Sequence, residues 1–135
     1  MLPIWIGRAE ATALALTLET AEMPRPMTHQ LTADLLTAAS TRVREVRIIR
    51  LVEPTFYAVL LLEGPGGPAE VDARPSDAVT LALVTGAPVM VDGELLDDAR
   101  AVGWTEWHEY PITGAKLVSE VRRQYDEMAA RLDRE

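Results

Sequence analysis

The chain has 135 residues, 48% hydrophobic and 25% charged, the size and balance of one globular domain. Its 13 basic side chains stand against 21 acidic ones, a formal net charge of −8, which excludes a basic face for non-specific nucleic-acid binding as the first reading. With no cysteine and only two histidines, His29 and His108, disulfide scaffolds, thiol catalysis and Cys-type zinc sites are excluded, and little is left for a histidine metal site or a Ser-His-Asp triad.

Leu2 to Ile6 reads as a strand, so the sequence opens directly in apolar, β-prone residues, as if a preceding hairpin were missing. Arg8 to Glu19 places Ala11, Leu14, Ala15 and Leu18 at helical spacing. Glu22-Met23-Pro24-Arg25-Pro26 is a rigid connector, because two prolines cannot continue a helix. Thr28 is the expected N-cap of a second helix with Leu31, Leu35, Leu36 and Ala39 on one face, ending at Ser40-Thr41. Val43 to Val52 mixes Val, Ile and Arg in near alternation, a strand with one wet face. After the turn Glu53-Pro54-Thr55, Phe56 to Leu62 is continuously apolar and predicts a central strand buried on both sides. Gly64-Pro65-Gly66-Gly67-Pro68 is a strong turn signal, and Ala69 to Arg74 alternates small apolar with charged residues, which completes an antiparallel meander.

Pro75 suits the first position of a helix that carries Ala78, Leu81, Ala82 and Leu83, with Gly86 as its C-terminal cap. Pro88 to Val91 predicts a short strand, Asp92-Gly93 a turn and Leu95 to Val102 a short helix. Trp104 and Trp107 fall in a connector. From Ala115 onward Val118, Val121, Tyr125, Met128 and Leu132 follow spacings of 3, 4, 3 and 4, a narrow helical seam suited to packing or self-association. No apolar run nears the ~20 residues of a membrane span, and nothing reads as a secretory leader. The expected setting is the cytoplasm, without membrane contact.

Residues 2–16 and 69–83 are related by a constant offset, 77 − 10 = 67, which superposes Ile4 on Val71, Glu10 on Asp77, Ala11 on Ala78, Leu14 on Leu81 and Ala15 on Ala82. Both copies read strand, tight turn, acid, then an Ala/Leu helix. Small residues at Ala11, Ala15, Ala78 and Ala82 predict two helices in close approach. The second copy has three strands before its helix and the first shows one.

These residues give the sequence a family resemblance. Leu2-Pro-Ile-Trp-Ile-Gly7 with Glu10-Ala11, Pro24-Arg-Pro-Met-Thr-His29 with Leu31, Val71-Asp-Ala-Arg-Pro-Ser-Asp-Ala78 and Thr85-Gly-Ala-Pro88 together resemble the bifunctional nuclease domain, in unbroken order over roughly the first hundred residues. The resemblance implies an α+β fold: a duplicated β-β-β-α unit with mixed or antiparallel sheets packed on helices, here without the first unit's N-terminal hairpin and with an added C-terminal helix. It implies a domain over residues 1–102, a connector and amphipathic helix over 103–135, a homodimer or higher oligomer, and RNase and DNase activity on nucleic acid. Two departures stand out: the family's hairpin before the Leu-Pro-Ile-Trp stretch, and Gln30 where the family often has an acid.

Phosphodiester hydrolysis needs an activated water, charge stabilisation at the phosphate and help for the leaving oxygen. With this composition, carboxylates around Mg²⁺ or Mn²⁺ are the expected means, and arginine clamps phosphate bidentately. The candidates are Asp77, Glu10 and His29 for catalysis, Arg25, Arg74 and Arg8 for substrate, and Asp72, Asp77 and Glu10 for the metal. Each has a structural reading beside the functional one. Glu10 and Asp77 fall in first helical turns, where carboxylates complement free N–H groups. Asp72 and Arg74 share a strand face and suit cross-strand pairing. Trp5 suits core or subunit contact as well as stacking on a base. Arg42, Arg44, Arg47 and Arg50 make a local basic run, a phosphate-tracking stripe or a solvated strand face. The alternative to a nuclease is a non-catalytic oligomeric binding or regulatory module in which acids and arginines pair internally.

Overall fold

The computed structural model of the chain describes residues 4–52 and 55–95. Seven elements follow in the order α1 (Arg8–Leu18), α2 (Thr28–Ala38), β1 (Arg42–Val52), β2 (Thr55–Gly64), β3 (Gly67–Ala73), α3 (Pro75–Thr85) and β4 (Val89–Val91). The connector and seam expected after residue 102, with Trp104, Trp107 and Val118 to Leu132, lie outside the described residues.

The strands form one sheet in the order β3-β2-β1-β4, with β1, β2 and β3 an antiparallel meander and β4 parallel to β1. The Gly-Pro turn closes the β2–β3 hairpin, where Gly67 adopts φ of 91°, a conformation that only glycine takes without steric cost. Two bulges interrupt the β1–β2 ladder, between Val43 and Glu45 and between Ile48 and Arg50. Each leaves one extra residue, Arg44 and then Ile49, and so resets which side chains face inward. The bulge at Ile49 is why Leu51, and not Arg50, is the next residue after Ile48 to pack against the core.

The inward face of the sheet carries Val46, Ile48, Phe56 and Ala58, against which Ala78, Leu81 and Ala82 of α3 and Ala33 of α2 complete the core. α3 has no wet face in its middle, since Ala78, Thr80, Leu81 and Ala82 are all buried. Thr80 stays hydrogen-bonded there, its hydroxyl donating to the Ser76 carbonyl at 2.7 Å. α1 packs on α3, and Ala15 and Leu16 of α1 are buried in a small cluster with Ala21. The two helices keep the sequence offset from end to end, 75 − 8 = 67 and 85 − 18 = 67.

Several expectations change at the ends of elements. Residues 4–7 are not a strand: they pair with no strand among the described residues, and Trp5 is 68% exposed and therefore not core. The N-cap of α2 is Met27, and Thr28 is already helical, its carbonyl accepting from the Thr32 hydroxyl at 2.8 Å. β2 is central and covered on both sides: Phe56 and Ala58 are buried and Leu60 half-buried on the inward face, and on the other face Leu61 is buried with Tyr57 and Val59 half-buried beside it. Asp92 starts a helical turn at Gly93, its carboxylate accepting the Glu94 N–H at 3.0 Å. Gly86 does cap α3, at φ of 73°.

Candidate functional site

Three helices begin beside one another. Gly7, Met27 and Arg74 are the N-cap residues of α1, α2 and α3, and none uses a side chain to cap its helix. The first turns supply Glu10, His29 and Asp77, at helix ends where unpaired N–H groups favour negative charge. Arg74 ties these starts together. Its Nε and Nη2 donate to the two oxygens of Asp77 at 2.6 and 3.1 Å, a bidentate pair, and its Nη1 donates to Glu10 Oε1 at 2.7 Å. On the far side of Asp77, His29 Nε2 lies 3.2 Å from Oδ1. The result is a continuous chain, Glu10–Arg74–Asp77–His29, drawn from three helices and the β3–α3 junction.

The electrostatics follow from these bonds. The Arg74 guanidinium holds the Asp77 carboxyl below its usual range against partial burial, and the His29 bond acts in the same direction. Glu10 is lowered first by a backbone hydrogen bond at its own residue and then by Arg74. Arg74 is raised by the reciprocal bonds from Asp77 and Glu10. Both acids are therefore anionic and the guanidinium cationic throughout the physiological range.

Two hollows flank the chain. One, of about 410 Å³, is lined by His29, Arg25, Pro26 and Met27 together with Leu16 and Thr17 of α1 and Leu83 and Val84 of α3. The other, also about 410 Å³, is lined by Trp5, Gly7, Glu10, Phe56, Arg74 and Pro75. Asp77 hydrogen-bonds a residue of each lining and so joins them.

Of the residues singled out by sequence, Glu10, His29, Arg74 and Asp77 are brought together, and Arg25 joins His29 on one hollow. Arg25 has no ion-pair partner among the described residues, which leaves its guanidinium open to an anion. Arg8 is exposed at the start of α1 and lines neither hollow. Asp72 pairs in register with Val59, and Val59 with Arg47, on the sheet face turned away from the Ala58–Ala73 row that packs in the core. Among the described residues no three His, Asp or Glu side chains gather to hold an ion. Glu10 and Asp77 are both committed to Arg74, so in this arrangement the carboxylates do not fit a divalent cation. The basic run of β1 is mostly paired within the sheet: Arg42 with Glu63, Arg47 with Glu45, and Arg50 over the Tyr57 ring at 4.3 Å. Arg42 correspondingly lowers the Glu63 carboxyl.

The sequence reading missed that one arginine serves both acids. The offset carried the signal, because it makes Glu10 and Asp77 equivalent third residues of packed helices.

An α+β domain with twin helix starts joined by one Glu–Arg–Asp–His chain defines the class. A family model, the bifunctional nuclease domain, matches residues 1–102, and the chain belongs to that family. An uncharacterised protein of Mycobacterium tuberculosis is 47% identical over 98 residues, covering 73% of this chain and 58% of that protein. Bifunctional nuclease 1 of Arabidopsis thaliana is 27% identical over 95 residues, 68% of this chain and 29% of the plant protein. The corresponding bifunctional nuclease 1 of Oryza sativa subsp. indica is 28% identical over the same length. The chain thus spans little more than half of the mycobacterial relative and under a third of the plant ones. No helix among the described residues is long and apolar enough to cross a membrane.

Proposed function

We propose that the domain hydrolyses phosphodiester bonds in RNA and DNA with low sequence specificity, through His29 and Asp77 rather than through a carboxylate-bound metal. The supporting observation is the 3.2 Å contact between His29 Nε2 and Asp77 Oδ1 at the edge of a hollow that also holds Arg25. Asp77 accepts the Nε2–H and fixes the tautomer, which leaves Nδ1 to take a proton from the attacking water. Arg74 keeps Asp77 ionised and in place. Arg25, aimed by flanking prolines, neutralises the phosphate oxygens. Water oxygen bonds to phosphorus, the bond to the leaving oxygen breaks, and that oxygen takes up a proton from solvent.

The test is cleavage of single-stranded RNA and DNA by metal-stripped protein, with Mg²⁺ and Mn²⁺ restored in separate arms. His29→Ala and Asp77→Asn should each lower the rate by roughly 10²- to 10⁴-fold, the usual worth of a positioned base, while circular dichroism stays native. Wild-type rates in both variants overturn the assignment. A strict requirement for added metal returns the carboxylates to the role expected of them from sequence.

The second reading, a non-catalytic oligomeric module, is favoured by the net charge of −8 and by the closed Glu10–Arg74–Asp77 pairing. A homo-oligomer fits either reading: Leu31 and Leu35 stand exposed one turn apart on α2, and Val89, Met90 and Val91 are exposed on an edge strand. Sedimentation velocity decides the assembly state. A cytoplasmic setting agrees with the cysteine-free composition, and fractionation of cells producing the protein checks it.

A further inference from the structure

The turn that ends α1 lines the hollow of Arg25 and His29, and it is strained. Thr20 adopts φ of 48°, a left-handed conformation that a β-branched residue rarely takes, whereas α3 ends on Gly86. Thr17, in the same lining, gives its hydroxyl to the Ala13 carbonyl at 2.9 Å, as Thr37 and Thr85 give theirs to carbonyls of α2 and α3. The Thr20 hydroxyl is bonded to no group among the described residues. Glu22, two residues on, also lines the hollow and has no ion pair there, and Arg25 is a third unpaired group of that lining.

The hollow thus presents a cation, an acid and a hydroxyl, all unengaged, around the apolar side chains of Leu16, Met23 and Val84. Its volume of about 410 Å³ falls within the ~300–1,000 Å³ of small-molecule sites. A bare anion would meet Glu22, and an apolar molecule would leave all three groups unanswered. A nucleotide answers each of them. Its phosphate meets Arg25 and His29, its ring lies on aliphatic and thioether groups, and its edge meets a carboxylate that only accepts and a hydroxyl that donates. An amino group beside a ring-nitrogen acceptor, the edge of adenine and cytosine, complements that pair. Guanine, thymine and uracil put a carbonyl oxygen where the amino group stands, opposite the carboxylate.

We propose that this hollow reads the edge of an unpaired base and selects adenine and cytosine over guanine, thymine and uracil, with Glu22 as acceptor and Thr20 as donor. The inference rests on the nuclease reading and deepens it. The substrate is single-stranded nucleic acid, since that edge is engaged in a duplex, and the low specificity becomes a bias between amino and keto bases. Left-handed strain at Thr20 keeps a hydroxyl where glycine would supply none.

The experiment measures binding separately from cleavage. Short 5′-fluorescein oligodeoxycytidylate and oligodeoxyuridylate with phosphorothioate linkages are titrated with the full chain at neutral pH and followed by anisotropy. The two probes differ only in the base edge. Wild-type protein binds the cytidylate more tightly by roughly 3- to 10-fold, the net worth of a hydrogen bond. Glu22→Gln brings the two affinities together, because an amide both donates and accepts. Thr20→Gly narrows the preference and at the same time raises the urea midpoint, as relief of the left-handed strain requires. Equal wild-type affinities overturn the proposal, and cleavage of both strands in that case leaves the nuclease reading standing. A full preference in either variant overturns it as well. So does a wild-type protein that binds neither probe, with the nuclease reading then judged on cleavage alone.

Discussion

Replacing Gly7 by Ala separates the role of space from the role of charge at the start of α1. The backbone of Gly7 has φ of −71° and ψ of 165°, which any residue adopts, so the substitution brings no conformational strain. The added methyl carbon meets Glu10 Oε2 well inside 3.0 Å and Glu10 Cδ at 3.3 Å. The carboxylate has to retreat by roughly 1 Å to restore ordinary contact, and it is the same carboxylate whose Oε1 holds Arg74 at 2.7 Å. Glu10 is the far end of a flexible chain, so it swings aside while the helix stays. Three consequences follow. The Glu10 titration midpoint, followed by carbon NMR of its carboxyl group, rises toward the ordinary value of 4.5, because its backbone bond and its bond to Arg74 both weaken. The Asp77 midpoint stays low, since its bonds come from the other side of the guanidinium and from His29. In a Glu10→Ala background the same Gly7→Ala change costs only the N-cap term, about 1 kcal/mol, and urea unfolding shows a larger cost when Glu10 is present. An unmoved Glu10 midpoint, or equal costs in the two backgrounds, would refute the reasoning that Gly7 is there to make room.

Arg74→Met should flatten the acid limb of the stability curve. Glu10 and Asp77 have depressed folded-state values, so between those and their ordinary values of 4.5 and 3.8 the unfolded chain binds more protons and stability rises with pH. The contribution is complete above the ordinary values and is lost as pH falls through the folded ones. Urea unfolding between about pH 2 and pH 6 reads it, and an unchanged slope in the variant counts against the network. Ile48→Ala, at a side chain 2% exposed in the middle of the core, should cost about 2–5 kcal/mol by urea midpoint; a loss under 1 kcal/mol would mean that the site collapses around the void. Gly86→Ala forces a left-handed φ of 73° on alanine and should cost about 1 kcal/mol, with no change in single-strand binding.

Much of the architecture is written in local pattern. The β1–β2–β3 meander, the bounds of α1 and α3, the Gly86 cap and the existence of the short strand β4 follow from alternation, helical spacing and glycine placement, while the parallel pairing of β4 with β1 comes from the structure alone. What local pattern missed is decided by partners. Leu2 to Ile6 has strand composition, yet a strand exists only where another pairs with it, and residues 4–7 find none among the described residues. Thr28 has the chemistry of a cap and lies one residue inside the helix that begins after Met27. Arg44 and Ile49 are bulged out of a ladder whose register depends on β2, so near alternation along β1 gave no sign of the two interruptions. Of the candidate site residues, Glu10, His29, Arg74 and Asp77 stand together in one hydrogen-bonded chain. The sequence places Asp72 and Arg74 on one strand face, but β3 ends at Ala73 and Arg74 is already the N-cap of α3, so Asp72 alone stays on the sheet face opposite the Ala73 row.

The sequence offset explains why a single arginine holds the site. At 67 residues apart, Glu10 corresponds to Asp77 and Gly7 to Arg74, since 74 − 7 = 67. The two helix starts are thus alike in their acids and unlike in their caps. Glycine at position 7 has no side chain, so the Glu10 carboxylate folds back over the N-cap, where a Cβ would collide with it. The shorter Asp77 cannot fold back in the same way and is clasped by the arginine of its own cap through two oxygens. The third guanidinium nitrogen then reaches across the α1–α3 contact to Glu10. A second arginine at position 7 would occupy the space that Glu10 uses and give each acid its own partner, and the tie between helices would be lost. With one cap emptied and the other charged, both helix N-termini are balanced by a carboxylate, the packed pair is fixed in register at that end, and the free oxygen lobe of Asp77 faces His29. The imidazole gains an ionised, immobilised acceptor from an arrangement whose first effect is to hold α1 and α3 together.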